Sequence, residues 1–565
     1  MSIAIIIAIL LYGVFVFYIS KKAGDEVQDD ATEYTVAGRN VGSIALLGTV
    51  CLSIWSALAF YGYGAGMYRG GIGYSSGFVG AYFVGLYAST IMYRLWLLGK
   101  KYNYITPGDF FEHRYNSKAF KYLVSAICVI FLIPYIAVQM AGVANGIVVT
   151  SSGQIGFWTV VIILTIYILG HVIKGGNKSI VGTDTLAGYV GVAIAVITAI
   201  VFIKKIPGSL SASTSYILET SPDTLKFTGT YSSWIGVFGL AMSAGMSIIA
   251  WPHIFIRSYM AKSEKVLQTM TIAFPVLELL AFGMFTIQGI WAGKVAYPGL
   301  EGAATDNIIP MMALEYAHPI LAVLLVVGVF AFGMSTADSQ LMIASSIIDH
   351  DVLTKKDDDN KSVKNTRIWL FVIMAIVLVV VKFRPPFLVT YAYQFSAPGF
   401  AQLIPALLGG LYWKKATKEG ALTGTIGGLV AVLATLFIKN PVPVVHPILW
   451  GLFVNTILFI VVSLATKPED RAIVDIHYFF DEFFKNRNNT THKVLMVLVA
   501  LVFVQLIVVT PYLPNPILFG WLPLQGFNVI IGAFELAIIG FFYAKNRLYE
   551  PDGSIKEVDE VRVSK

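Results

Sequence analysis

Long apolar segments alternate with short polar ones along nearly the whole chain. Each apolar segment is close to the roughly 20 residues that an α-helix needs to cross a bilayer. The pattern predicts fifteen membrane-spanning helices and an all-α polytopic membrane protein. The predicted spans are 3–19, 43–64, 78–98, 120–149, 157–172, 181–203, 234–256, 268–292, 319–349, 367–382, 387–412, 420–438, 446–466, 494–510 and 528–544.

The ninth predicted span, 319–349, carries polar residues in its middle. Ser335, Asp338 and Ser339 recur at spacings of three and four and share one helix face, with Thr336 beside them. A lone hydroxyl in such a helix usually bonds to its own backbone or to a neighbouring helix. Asp338 changes the interpretation, because an ionisable group at membrane depth is costly and usually marks an ion or proton path.

Two predicted spans contain several glycines. They are span 43–64, with Gly62, Gly64 and Gly66 at its end, and span 234–256, with Gly236, Gly239 and Gly245. Glycine in a membrane helix permits close packing or local unwinding, and only unwinding frees carbonyls for a cation. The two spans stand five helices apart, as the first helices of an inverted repeat of five would.

Two further polar residues have open interpretations. Asp184 follows a glycine pair near the start of span 181–203, and it either caps that helix or lies deeper on an ion pathway. Gln139, in the fourth span, either contacts a substrate or joins neighbouring helices. Cys51 and Cys128 both fall in predicted spans and indicate neither a disulfide framework nor a metal site.

Composition and charge agree with a membrane protein. The chain is 56% apolar and 13% charged, with a mean hydropathy of +0.73. Most Lys and Arg fall on one side of the predicted spans, which predicts the N-terminus outside and the C-terminus inside. The first helix is expected to be retained, since no cationic stretch precedes it. The net charge of +7 therefore reflects topology and not nucleic-acid binding. The Lys and Arg residues predicted to lie on the outer side are Arg69, Lys204, Lys205, Lys226, Lys294, Lys382, Arg384 and Lys439.

Several motifs, taken together and in order, resemble the sodium:solute symporter family. They are MSTADSQL in the ninth span, the stretch from Gly175 to Asp184, PHIFIR ending at Arg257, and PALLGGLYWKKATKEGA from Pro405. The external TDNIIP and GAGMYRGGIGY are most similar to its pantothenate permease and monocarboxylate branch. The resemblance implies a LeuT-type core, a five-plus-five inverted repeat with peripheral helices around it.

The resemblance also implies a division of the chain. Residues 1–42 would be a peripheral helix and loop, 43–413 the core with repeats 43–203 and 234–413, 414–545 peripheral helices, and 546–565 a cytoplasmic tail. Near 471–486 we expect a cytoplasmic helix lying in the membrane interface, because apolar residues recur there at helical spacing. They are Ile476, Phe479, Phe480, Phe483 and Phe484.

Carried over by position, the resemblance implies a sodium site of five neutral oxygens, which suit a hard cation. They are the carbonyls of Leu52, Trp55 and Phe332 and the hydroxyls of Ser335 and Thr336. We expect a second cation or proton site at Asp184, Asp338 and Ser339, and substrate contacts at Ser56, Phe60 and Gln139. Gly182 departs from the Trp of many relatives. Ile54 stands where proline permease relatives carry Asp, which argues against proline as the substrate.

The implied function is sodium-coupled secondary active symport by alternating access. The expected solute is a small organic carboxylate such as pantothenate or a monocarboxylate; the alternatives are a sodium-coupled amino acid symporter and a proton-coupled carrier of the same fold. The sequence has no Walker A pattern and no soluble stretch long enough for a domain, so we expect a carrier and not an enzyme. The expected partners are sodium, the solute and membrane lipid, and the expected location is the plasma (inner) membrane.

Overall fold

The structure is a computed structural model that describes residues 1–27, 30–228, 233–353, 359–383, 392–551 and 553–554. The α-helices within these ranges are α1 Ser2–Val27, α2 Ala31–Val36, α3 Ser43–Ala57, α4 Gly64–Gly70, α5 Ser76–Ser89, α6 Ile91–Tyr102, α7 Pro107–Tyr115, α8 Lys118–Thr150, α9 Phe157–Lys205, α10 Leu210–Thr220, α11 Trp234–Ala244, α12 Pro252–Phe255, α13 Glu264–Thr286, α14 Gly293–Ala296, α15 Ile308–Tyr316, α16 Pro319–Ile347, α17 Asp359–Lys382, α18 Ala397–Ala401, α19 Ile404–Tyr412, α20 Lys418–Phe437, α21 Pro447–Ala465, α22 Asp470–Ala472, α23 Phe479–Phe483, α24 Asn489–Phe503 and α25 Leu524–Arg547.

Short 3₁₀ and π segments extend or connect several of these helices. The 3₁₀ segments are Ala37–Arg39, Gly71–Ser75, Pro222–Leu225, Met246–Ala250, Ile256–Tyr259, Gly302–Asn307 and Thr510–Tyr512, and the π segments are Leu58–Tyr63, Ile287–Ala292, Ile348–Leu353, Ala392–Ser396, Ile473–Tyr478 and Val504–Val509. Two short strands, β1 Ile517–Leu518 and β2 Leu522–Pro523, form an antiparallel hairpin with Leu518 opposite Leu522.

Fourteen of the fifteen predicted spans lie within the described ranges, and they fall on helical segments. The start of span 387–412, Arg384 and the end of the predicted tail, 555–565, lie outside the described residues. By length and hydropathy, ten helices of the described chain can cross a membrane, or up to twelve if two bent pairs count as spans. The number is lower than fifteen for three reasons. The 49-residue helix α9 covers two predicted spans, and the bent pair Ser43–Ala57 and Phe60–Tyr102 covers another two. Span 387–412, whose start lies outside the described residues, is not among the twelve.

The long helix α9 is broken at Gly176, which has φ 51° and ψ −143°. A side chain there would overlap the backbone oxygen of Tyr34, so glycine is needed for both conformation and space. Such a break leaves carbonyls of the preceding turn without their helical N–H partners. The Tyr34 hydroxyl takes that place, since it donates to the carbonyl oxygens of Val172 and Ile173 at 2.9 and 3.2 Å.

Helix α16 lies at the centre of the assembly, packed against α3, α8 and α9. From Gly328 to Ile347 it is buried throughout. Helix α13 packs against α3, α5 and α25, while α20 and α21 pack mainly on each other. Cys51 and Cys128 are both buried free thiols. The polar face predicted from the ninth span therefore lies inside the protein and not toward lipid.

The predicted helix near 471–486 forms as α22, the π segment Ile473–Tyr478 and α23. Phe479, Phe480 and Phe483 are buried, as the helical spacing predicts. The Arg94 guanidinium lies 4.4 Å from the ring centre of Phe480, and the Lys101 ammonium lies 3.9 Å from that of Phe479. The apolar side of this helix therefore packs against cationic side chains along α6.

Candidate functional site

The helix α3 breaks at Ser56 and not at the glycines that follow it. Ser56 has φ 56° and ψ 177°, a left-handed backbone inside an otherwise helical segment. Gly64 and Gly66 are helical and pack instead against Ile309 and Tyr74. The sequence therefore predicted the correct span but placed the interruption two turns too late, because nothing in a serine marks a left-handed residue.

The second interrupted helix is α11, which ends at Ala244. Gly245 follows with φ −133° and ψ −71°, and the chain continues through the 3₁₀ segment Met246–Ala250 to α12. A side chain at Gly245 would overlap the backbone of α5 at Ala81, so this glycine permits a close approach of the two helices. Of the three glycines in the predicted span, Gly245 is the one at the break.

Three of the five predicted sodium ligands lie together where α3 meets α16. The Thr336 hydroxyl lies 3.4 Å from the Leu52 carbonyl oxygen and 3.1 Å from the Phe332 carbonyl oxygen. The indole of Trp55 stacks on the ring of Phe332, with 6.3 Å between centroids. Ser335 is buried, and its hydroxyl makes no hydrogen bond of normal geometry within the described chain. These neutral oxygens are the donors that a hard, singly charged cation prefers.

Asp184 is buried beside an internal cation. Its Oδ2 accepts a hydrogen bond from the Thr49 hydroxyl at 2.6 Å and lies 3.7 Å from Nη2 of Arg257. The same Arg257 nitrogen donates to the hydroxyl of Ser339 at 3.0 Å and to that of Ser53 at 2.5 Å. Asp184 therefore does not act as a surface cap, and the Arg257 guanidinium stands beside the place where the sequence predicted a second cation.

Asp338 pairs with a histidine that the sequence analysis did not single out. His171 Nδ1 lies 2.8 Å from Asp338 Oδ2, both side chains are fully buried, and the Thr183 hydroxyl lies 3.4 Å from the other ring nitrogen. The Oδ1 atoms of Asp184 and Asp338 are buried and make no hydrogen bond of normal geometry with the described residues. A lone histidine in the apolar span 157–172 was the available signal, since such a residue needs a polar partner inside the bundle.

The predicted substrate residues surround the break of α3. Ser56 is the break itself, and the ring of Phe60 lies 4.6 Å from that of Phe332 and 5.0 Å from that of Phe285. Gln139 is fully buried on α8, and neither atom of its amide has a hydrogen-bond partner in the described part of the chain. A buried amide without partners is costly, which favours a ligand contact over helix-to-helix bonding.

The position of Gly333 shows how close these elements are. A Cβ built on Gly333 of α16 lies 3.1 Å from the Cβ of Ala57 on α3 and 3.7 Å from the backbone oxygen of Gln139 on α8. The three helices therefore meet at the level of the α3 break. The predicted sodium ligands and the predicted substrate residues belong to one region of the molecule.

A second charged cluster lies at the other end of α16. The Lys121 ammonium lies 3.2 Å from Asp109, 2.9 Å from Glu112 and 3.5 Å from Asp351, and His350 lies 3.0 Å from Asp109. Asp109, His350 and Asp351 have metal-ligand spacing, but the Lys121 ammonium already supplies the cation. Burial alone would raise the pKa of Asp109, but His350 and Lys121 outweigh it and hold that pKa well below its usual value.

Comparisons with known proteins bear on the family and the fold of this chain. A model of the sodium:solute symporter family matches residues 34–428. Sodium/pantothenate symporters of Haemophilus influenzae and Escherichia coli are each 26% identical, over 76% and 82% of this chain and 90% and 96% of their own lengths. A solved structure of a Na⁺-coupled sialic acid symporter, outward-open and substrate-bound, superposes with a TM-score of 0.70 at 16% identity, covering 82% of this chain and 98% of that one. This likeness shows a LeuT-type fold.

Proposed function

This chain belongs to the sodium:solute symporter family, and on that premise we propose that it imports a small organic acid together with sodium. The proposal concerns a carrier and not an enzyme. It places the protein in the plasma membrane with the N-terminus outside and the C-terminus inside, as the distribution of Lys and Arg indicates.

One observation carries the proposal. The Thr336 hydroxyl of α16 and the Leu52 carbonyl of α3 lie 3.4 Å apart at the point where α3 breaks. The two helices belong to different predicted repeats, so a cation held by both sets of oxygens would join them. The proposed ligands are the five predicted from the sequence: Leu52, Trp55, Phe332, Ser335 and Thr336.

Coupling would follow from this geometry by alternating access. A cation can shift a conformational equilibrium only if it binds one state more tightly than the other. Sodium between α3 and α16 would favour the arrangement in which the two helices lie close, and that arrangement would bind the solute beside the α3 break. Release of sodium on the inner side, where sodium is scarce, would then weaken solute binding.

The proposed solute carries a carboxylate, as pantothenate does. The unpartnered amide of Gln139 supports this assignment, because its nitrogen offers two N–H donors to a carboxylate oxygen. Ser56 and Phe60 line the same region. The second cation or proton site at Asp184, Asp338 and Ser339 remains a prediction. The burial of both carboxylates supports it, while the Arg257 guanidinium, 3.7 Å from Asp184, already supplies one cation there.

Uptake into proteoliposomes tests the proposal. The purified chain is reconstituted, and labelled solutes are supplied with an inward sodium gradient or with choline in place of sodium. Pantothenate, lactate, propionate, proline and alanine form a suitable panel. We expect at least one acid to accumulate above its equilibrium level only with sodium. Accumulation that is equal in choline at low external pH would instead identify a proton-coupled carrier, and binding without flux would contradict transport.

A further inference from the structure

Glu278 is a buried acid outside the proposed ion and solute residues. It lies in the middle of α13, with 1% of its surface exposed. Within the described chain it has no cationic partner, and its one hydrogen bond comes from the Trp55 indole, 2.6 Å from Oε2. The other buried core acids differ, because Asp184 lies beside Arg257 and Asp338 is paired with His171.

The hydrogen bond to Trp55 places Glu278 next to the proposed ion site. Trp55 is the last residue of α3 before the break at Ser56, and its ring stacks on Phe332 of α16. Glu278 is thus connected through one side chain to both helices that would hold sodium. It faces the same break that the proposed solute residues surround.

Polar groups from other elements also approach Glu278. The hydroxyls of Tyr63, Tyr82 and Tyr393 lie within electrostatic range of its carboxylate. The Tyr82 hydroxyl, on α5, is buried and has no hydrogen-bond partner among the described residues. The backbone oxygen of Tyr393, in the π segment Ala392–Ser396, accepts a hydrogen bond from Ser243 of α11. Elements from both predicted repeats therefore meet around this carboxylate.

A carboxylate at this depth needs more than one neutral donor. The cost of burying an ionised group is several kcal/mol even after relaxation, and a single indole N–H offsets only a part of it. The Tyr82 hydroxyl is buried without a hydrogen-bond partner among the described residues, and the Trp55 indole is the one hydrogen-bond donor found there for the Glu278 carboxylate. A guest with an N–H or O–H donor would satisfy them.

We propose that Glu278 accepts a hydrogen bond from the transported solute, so that the substrate is an organic acid with a second, donor-bearing group. An ammonium, amide or hydroxyl group would face Glu278, and the solute's carboxylate would face a donor such as the Gln139 amide. Plain aliphatic carboxylates lack the first contact. The proposal rests on the proposed symport function and narrows its substrate class.

The expected preference for the donor-bearing solute follows from the energy of its hydrogen bond to Glu278. A hydrogen bond to a charged group contributes about 1.5–3 kcal/mol, which corresponds to about tenfold to a hundredfold in affinity. A site built to bind a donor also rejects the analogue that lacks it, because the buried acceptor is then left unpaired. We therefore expect at least about tenfold preference for the donor-bearing solute.

Matched pairs of solutes test this inference. Lactate and alanine differ from propionate only in the group on the second carbon, and proline differs from cyclopentanecarboxylate by its ring nitrogen. Each pair, and pantothenate, is assayed for sodium-driven uptake by the reconstituted full-length protein. Every solute that the protein accumulates should carry a donor, and its donor-free analogue should be taken up at least tenfold less efficiently. Equal sodium-driven uptake of the two members of a pair overturns the inference.

The variant Glu278→Gln provides a second measurement. Its amide still occupies the space, but it loses the charge and one acceptor atom. We expect solute affinity to fall at least tenfold, while stabilisation of the detergent-solubilised protein by sodium persists. Glu264→Gln, the same substitution about four turns earlier on α13, is the matched control. Unchanged solute affinity in Glu278→Gln overturns the inference. If that variant does not fold, Glu278→Asp and the solute pairs test the inference in its place. Absence of any sodium-driven uptake by the wild type would instead refute the proposed function.

Discussion

Replacing Thr336 by alanine removes the hydroxyl that connects α16 to α3. That hydroxyl lies 3.4 Å from the Leu52 carbonyl oxygen and 3.1 Å from that of Phe332, so the three oxygens can face one cation. The interaction of a neutral polar group with a charge contributes about 1.5–3 kcal/mol. This range corresponds to about tenfold to a hundredfold in affinity. We expect the sodium concentration for half-maximal uptake to rise at least tenfold in Thr336→Ala.

The assay is the sodium dependence of solute uptake into proteoliposomes. Thr336→Ser keeps the hydroxyl and should retain most of the sodium affinity. Ser345→Ala is the matched control, because Ser345 lies on the same helix and its hydroxyl already bonds the Leu341 carbonyl at 2.8 Å. If Thr336→Ala and Ser335→Ala both keep the wild-type sodium dependence, the proposed ion site is wrong.

Three other changes have expected outcomes. A cysteine at Phe480 should react at least tenfold more slowly with an impermeant thiol reagent in inverted vesicles than a cysteine at Asp481. The reason is that Phe480 is 2% exposed whereas Asp481 is exposed. Equal rates would contradict the packing of α23. Asp338→Asn should lower the Hill coefficient of uptake for sodium if the second site exists. If uptake is retained and neither the Hill coefficient nor the pH dependence changes, Asp338 has a structural role only. Asp109→Asn should lower the melting temperature at pH 7. Because the pKa of Asp109 is lowered in the folded protein, its contribution is present above the ordinary pKa of about 4 and is lost as the pH falls below it, so the difference between variant and wild type should shrink there.

The helices were predictable because each membrane span has a simple apolar signal. The polar face of α16 was also predictable, since Ser335, Asp338 and Ser339 could be placed on one side from their spacing alone. The glycine signal was weaker. It identified the two interrupted spans, but it could not show that α3 breaks at Ser56, because a serine carries no local signal for a left-handed backbone.

Partners across the bundle could not be predicted from spacing. Arg257 and Asp184 are far apart in sequence, as are His171 and Asp338, and only the packing of α9 against α16 and against the segment Ile256–Tyr259 brings them together. Glu278 shows the same limit. It stands out only because no cationic side chain lies beside it in the described structure, and spacing along the sequence could not show that. A local pattern can mark a buried charge, but the neutralising partner is a property of the fold.

The contact between α2 and the break of α9 has a mechanical consequence. The Tyr34 hydroxyl is bonded to Val172 and Ile173 before the break, and the Thr35 carbonyl accepts a hydrogen bond from the Asn177 amide just after it. The short helix α2 therefore fixes the angle between the two halves of α9. The two halves of α9 would then move during transport as one rigid unit together with α2, so that the conformational change is taken up between helices and not at this break.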